Sequence, residues 1–167
     1  MKQSIISAIQ TPAPDELDAE RKWLEEQIQA IPEDTYSMLI QKAITARERS
    51  YSPYSHYAVG ASVLCESGNI YASPNIEVAS YSETGHAEGT TIFKAVSEGE
   101  AINGRKFIRA IVVCHTSIGC CGRCRQQMIE HADNAVVITI NPEGTVVHVT
   151  SLKTMLPFSF SPTNLGK

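Results

Sequence analysis

His86-Ala87-Glu88 and, further along, Cys121-Gly122-Arg123-Cys124 constrain this chain more than any other feature. One His and two Cys supply three metal ligands. Three protein ligands leave the fourth corner of a tetrahedral Zn²⁺ open to water, the layout of a catalytic zinc site and not a structural one. Cys121 and Cys124 lie one helical turn apart, so both sulfurs can face one ion. Both ligand groups stand where a helix is expected to begin after a loop. A helix N-terminus presents free N–H groups and positive potential, which favours thiolate over thiol. Glu88 lies two residues beyond His86, placed to reach a zinc-bound water and not the zinc. Free water has a pKa of about 15.7 and zinc-bound water about 7. A carboxylate in that position can act first as general base, then as general acid.

A Cys-x-x-Cys pair has other readings, namely a redox couple or half of a structural zinc knuckle. The redox reading needs a thioredoxin-like context, which is missing. A closed structural site would have to recruit Cys120, Cys114 or Cys65. Cys65 and Cys114 fall within strand runs, where a free Cys acts as a small core residue. Cys120 adjoins Cys121 and reads as a packing residue or a support for the ligands. His56, His115, His131 and His148 read as surface or core histidines and not as ligands.

The 167 residues are 43% hydrophobic and 19% charged, which suits one domain with a sizeable core. The formal net charge of -4 argues against the basic face of a nucleic-acid binder. Arg123 and Arg125 form a local positive spot and read as surface or salt-bridge residues. No run approaches the roughly 18 apolar residues of a membrane span. The amino end, Met1 to Ile6, lacks a signal-peptide core. Five cysteines, an odd number, then favour reduced cytosolic thiols and metal ligation over disulfides.

Residues 1 to 13 read as a loose lead-in. Asp15 suits a helix N-cap, and Leu17, Leu24, Ile28 and Ile31 recur at helical spacing, so residues 15 to 30 form an amphipathic helix that Pro32 stops. Residues 34 to 50 form a second helix with Met38, Leu39, Ala43, Ile44 and Ala46 as its apolar side. Tyr51 to Tyr57 is a loop, Tyr57 to Cys65 a strand, and Ile70 to Ala72 its hairpin partner. Residues 73 to 84 are a loop. Helices over His86 to Glu98 and Gly122 to His131 alternate with buried strands over Ile108 to Cys114 and Ala135 to Ile140. Val146 to Val149 is a further strand, and a short helix spans Leu152 to Met155. Alternating strands and helices imply an α/β sandwich with a mixed sheet.

With these residues placed, the chain resembles the cytidine deaminase family over roughly residues 36 to 162. His-x-Glu followed by Cys-x-x-Cys is the signature of zinc deaminases. Tyr51 to Ala61 is similar to the family's opening segment, Asn75-Ile76-Glu77 to its nucleoside-binding loop, and Leu156-Pro157 with Phe160 and Pro162 to its C-terminal end. The resemblance implies a three-layer α/β/α fold with a mixed five-stranded sheet, here residues 34–167 as the catalytic domain behind an N-terminal arm of residues 1–33. It implies zinc on His86, Cys121 and Cys124, with Glu88 catalytic. It places Tyr57, Asn75, Glu77, Ala79, Ala87 and Phe160 at the substrate. Asn75 and Glu77 would hold the ribose hydroxyls, Tyr57 would pack on the pyrimidine where Phe is usual, and Phe160 would reach an adjacent subunit's site. The implied activity is hydrolytic deamination of cytidine and deoxycytidine to uridine and deoxyuridine. The implied setting is pyrimidine salvage in the cytoplasm, by a homodimer or homotetramer that takes a small nucleoside and neither nucleic acid nor membrane.

Several positions depart from the family pattern, among them Glu83-Thr84-Gly85, which replaces a more apolar stretch. Small members usually carry Cys at 86 and Arg at 89, where this chain has His and Gly. Three thiolates on Zn²⁺ leave a net charge of -1 that an Arg can offset, whereas one His and two thiolates leave none. Cys120 stands in place of Pro, and Val78 in place of Asn. The altered loop favours a second reading, a deaminase of a modified cytosine nucleoside or aminopyrimidine antibiotic. A non-catalytic zinc protein would have no use for Glu88.

Overall fold

The computed structural model describes residues 2–7, 14–117 and 119–166. Three helices precede the first strand: α1 (Lys2–Ser7), α2 (Pro14–Ala30) and α3 (Glu33–Glu48). The rest runs β1 (Gly60–Cys65), β2 (Ile70–Pro74), α4 (Ala87–Ser97), β3 (Ile108–Cys114), α5 (Gly122–Glu130), β4 (Val136–Ile140), β5 (Val146–Ser151) and α6 (Leu152–Met155). The sheet order is β2-β1-β3-β4-β5. Its one parallel pair, β3 with β4, sets Ala110 opposite Val136 and Cys114 opposite Ile140. A parallel pair needs a crossover, and α5 supplies it. The other three pairs are antiparallel.

Strands covered on both faces should be continuously apolar. Val63, Ile111, Val113 and Val137 point to one face, where they pack with Ile92, Met128 and Leu152 from α4, α5 and α6. Leu64, Ala110, Val112, Val136 and Ile138 point to the other, against Leu24, Ile28, Leu39 and Ala43 of α2 and α3. The period-two switch of faces along each strand builds three layers from one sheet. These are the α/β/α layers and mixed five-stranded sheet that the sequence implied.

The amino end differs from the loose lead-in read from the sequence. Lys2–Ser7 is helical and Ile5 is fully buried in the layer under α2. Six residues are too few to be helical on local propensity, so burial of Ile5 is what holds this turn. Thr11-Pro12-Ala13 and the side chains of Asp15 and Leu17 lie outside the described residues. Met38, read as apolar-side, is half exposed, and Tyr36 takes the buried position. The strand that sequence started at Tyr57 starts at Gly60, leaving Tyr57 in the preceding loop.

Gly60 fixes how α3 lies on the sheet. A Cβ there would sit 2.1 Å from the Ala43 carbonyl oxygen and 2.3 Å from the Arg47 nitrogen. At the other end Glu20 of α2 accepts from the Ser151 N–H at 3.3 Å and from the Thr154 hydroxyl, tying α2 to the start of α6.

Gly60→Ala should lower stability by about 1–3 kcal/mol through overpacking against backbone. Ile28→Ala should cost about 2–5 kcal/mol if the amino-terminal helices belong to the core. Urea midpoints with an unchanged denaturant slope check both.

Candidate active site

His86 and Cys121 occupy equivalent places. His86 is the N-cap of α4 (φ -71, ψ 148) and Cys121 the N-cap of α5 (φ -68, ψ 162). Their extended backbones turn the side chains back across the helix starts. Cys124 follows one turn into α5 and is fully buried. His86 Nδ1 lies 3.3 Å from Cys121 Sγ and 3.4 Å from Cys124 Sγ, and the two sulfurs are 3.5 Å apart. Zinc bonds of about 2.3 Å to sulfur and 2.0–2.1 Å to nitrogen, at tetrahedral angles, separate ligand atoms by about 3.6–3.8 Å. The observed triangle is a few tenths tighter and fits the ion. Among the described residues this is the one group of three or more His, Cys, Asp or Glu side chains able to share a metal ion.

Cys124 would need a cation beside it to ionise. Burial pushes the Cys124 thiol far up, and the charges of Glu88 and Cys121 push it further. The thiolate expected from the helix start is therefore not secured by α5 alone; desolvation outweighs it. A divalent ion between the three side chains reverses that balance.

Glu88, in the first turn of α4, is only 5% exposed and lies beside the triangle. Burial first, then the charge of Glu88, pushes the Cys120 thiol well up. Cys120 is not among the side chains able to share the ion. Arg125 fixes the turn that carries these cysteines. Its Nε donates to the Cys120 carbonyl at 2.7 Å and its terminal nitrogen to the Met155 carbonyl at 3.0 Å. Arg123 donates to the Ser82 and Thr84 carbonyls. Sequence offered surface or salt-bridge roles for both arginines; Arg123 is exposed as expected, and both brace backbone.

A cavity of about 340 Å³ opens beside the triangle. His86, Ala87, Glu88 and Cys121 line it together with Ser55, Tyr57, Asn75 and Glu77. Asn75–Glu77 runs between two other segments. Glu77 N–H donates to the Tyr51 carbonyl at 2.8 Å, and Ile76 N–H donates to the Gly85 carbonyl at 2.8 Å. Asn75 Oδ1 accepts from Ser50 Oγ at 2.6 Å and Val59 N–H at 2.9 Å, and its Nδ2 donates to the Tyr57 carbonyl at 2.9 Å. Glu77 accepts from the Ser55 hydroxyl and from the Tyr54 and Ser55 N–H groups. The Ser55 hydroxyl and these N–H groups hold its carboxyl below the usual carboxylate range. By donor and acceptor capacity, Asn75 keeps one amide hydrogen for a ligand and Glu77 keeps one lone pair.

Comparison with known proteins decides the family. The zinc-binding region of cytidine and deoxycytidylate deaminases matches residues 33–140. A cytidine deaminase of Sporosarcina psychrophila is 40% identical over 131 residues, covering 77% of this chain and 93% of that protein. The chain belongs to the cytidine deaminase family. A second cytidine deaminase, from Halalkalibacterium halodurans, is 40% identical over 133 residues and is covered to 96%. The crystal structure of the Burkholderia pseudomallei cytidine deaminase superposes with a TM-score of 0.68 at 37% identity, covering 74% of this chain and 98% of that one. That of the Mycobacterium tuberculosis cytidine deaminase gives a TM-score of 0.61 at 31% identity.

Set among cytidine deaminases, two features of this chain gain a physical reason. The space above Gly89 is filled by the Gln127 amide of α5, whose Oε1 would lie 2.5 Å from a Cβ there. A side chain at 89 would have to displace the end of the Gln127 side chain. The second feature escaped the sequence reading. His115 is buried, lines the cavity, and sits with Tyr57 and Ser117 in one hydrogen-bonded group. Its signal was position: it follows a buried strand of the parallel pair, and α/β sites open at the carboxyl ends of such strands. Ala79 and Phe160 are exposed and are not among the residues lining the cavity. The Phe160 carbonyl accepts from Gln126 Nε2 at 2.8 Å, which lays the tail along α5.

Purified protein should carry about one zinc per chain, and Cys121→Ala or Cys124→Ala should lose it, since catalytic sites hold the ion with three protein ligands. Elemental analysis after exhaustive dialysis checks this.

Proposed function

We propose that the protein hydrolyses cytidine and deoxycytidine to uridine and deoxyuridine, releasing ammonia. One observation carries the reading: Glu88 is buried at the cavity wall beside three side chains that converge on one point. No structural zinc site needs such a carboxylate. The chemistry zinc supplies in such a site is Lewis acidity, which brings the pKa of water from 15.7 to about 7. Glu88 takes the proton of the attacking water and delivers it to the ring nitrogen beside the amine-bearing carbon. The same carboxylate then takes the remaining proton from the hydroxyl added at the amine-bearing carbon and passes it to the leaving amine as the carbonyl forms, so that water and cytidine become uridine and ammonia. The start of α4 leaves its first N–H groups without helical partners, and that of Ala87 suits the base carbonyl. Asn75 and Glu77 would take the ribose hydroxyls with the capacity they retain. Ala79 and Phe160, exposed in a single chain, fit contacts made on assembly.

We assign residues 34–167 to the catalytic unit and residues 1–33 to an appended arm. The solved relatives support this, since they are covered almost whole by three-quarters of the chain. A homo-oligomer is supported by exposed apolar side chains near the cavity mouth, among them Tyr51, Tyr54, Ile76 and Tyr81. All five cysteines are free thiols, which suits a reducing cytoplasm and a role in pyrimidine salvage. No helix among the described residues is long and apolar enough to cross a membrane. The net charge of -4 favours a small nucleoside over nucleic acid as substrate.

Glu88→Gln should retain zinc while kcat for cytidine falls by about 10²–10⁴, the usual worth of a positioned general acid–base. Ammonia release alongside metal content measures both. Asn75→Ala and Glu77→Ala should lower kcat/KM for cytidine by about ten- to a hundredfold more than for free cytosine, through one lost polar contact each. Equal losses on the two substrates would remove the ribose assignment.

A further inference from the structure

Tyr57 stands where the family pattern usually has Phe, so its hydroxyl is a group that this chain adds to the cavity wall. The side chain is 40% exposed, and its loop has no regular structure. A ring in that setting is free to leave its rotamer unless its far end is held.

The far end is held. Tyr57 Oη lies 2.8 Å from Ser117 Oγ and 3.2 Å from His115 Nδ1. Ser117 N–H donates to the same Nδ1 at 3.0 Å, so this nitrogen is an acceptor. Burial lowers the His115 pKa, against the pull of Glu88, and so keeps the ring neutral for that role. The His115 N–H in turn donates to the carbonyl of Ile140, the last residue of β4, at 3.1 Å. The phenol is therefore hung from the sheet through Ser117 and a buried imidazole. The near end is fixed separately. Tyr57 N–H donates to Ser55 Oγ at 3.0 Å, and Asn75 Nδ2 donates to the Tyr57 carbonyl at 2.9 Å.

A para hydroxyl lies on the axis about which a tyrosine ring flips. Holding it leaves the flip free and stops the swing about χ1, the motion that would carry the ring off the cavity wall. A side chain already fixed spares a ligand the cost of immobilising it. Phenylalanine offers the same ring without this handle.

We propose that Ser117 is a positioning residue of the base site, clasping the Tyr57 hydroxyl against the His115 imidazole so that the ring stands in its binding rotamer before a cytosine nucleoside arrives. The inference rests on the deaminase reading, with the pyrimidine beside the Tyr57 ring. Such a ring contact is made alike in the ground state and the transition state, so the clasp serves affinity and its loss falls on KM.

The test is made on the zinc-loaded protein. Ser117→Ala and Tyr57→Phe should each raise KM for cytidine by about three- to tenfold, the worth of one neutral hydrogen bond, while kcat changes less. The double variant should be no worse than either single one, because the two hydroxyls form one interaction. Ser117→Thr restores the hydroxyl and should bring KM back to the wild-type value. In the ligand-free protein the three-bond couplings from Tyr57 N and C′ to Cγ, which report χ1, should show one rotamer in the wild type and in Ser117→Thr, and an average in Ser117→Ala. An unchanged KM in Ser117→Ala, a loss that falls equally on kcat, additive losses in the double variant, or the same couplings in Ser117→Ala as in the wild type overturns the proposal. If the wild type turns over no cytidine at all, the deaminase reading fails, and the couplings alone decide on the clasp.

Discussion

His86 Nδ1 meets the two sulfurs because α4 and α5 begin side by side and each begins on a ligand. An N-cap residue has an extended backbone, so its side chain swings back over the helix start. Two such starts brought together aim an imidazole and a sulfur at one point, and Cys124 follows one turn later. Everything chemical in the molecule depends on this convergence. It in turn depends on a close helix contact, which Gly89 permits by leaving room for Gln127. Arg125 then holds the cysteine turn by its carbonyl, and Arg123 holds the loop that leads to His86.

Legibility tracked how local the physics was. The β3 strand and the α6 helix read from sequence agree with the structure to the residue, because an unbroken apolar run and a Ser-capped turn are local signals. The strand before the hairpin was read three residues long, since Tyr57 and Ala58 continue the apolar pattern while the Tyr57 carbonyl and the Val59 N–H serve the Asn75 side chain. The helix at Lys2–Ser7 was missed because only its burial under α2 sustains it. Around the cavity the ligand spacing was visible in a short motif. The closeness of Cys120 to Glu88, and the wall joining Tyr57 to His115, were not. Both link residues far apart in sequence, and no periodicity records such a meeting.

The polar groups near the cavity divide into those that hold the walls and those left for a ligand. Asn75 and Glu77 do both. Most of their hydrogen-bonding capacity fixes the Tyr51 to Val59 segment, so the loop that carries Tyr57 is pinned by the residues assigned to the sugar. Tyr54 and Tyr81 meet across the same region, their rings 6.1 Å apart. Substitution at either sugar-assigned position is thus felt in the base wall as well.

The bond from Glu20 to Ser151 joins residues 131 apart in sequence. The α2 helix therefore leaves the ribosome 131 residues before the docking partner that Glu20 bonds. At about 5–20 residues per second that interval is on the order of ten seconds. For that time the apolar stripe of Leu24, Ile28 and Ile31 lacks the strands that α2 lies on, β4 and β5. During synthesis this segment stays uncovered until those strands and α6 arrive to receive it.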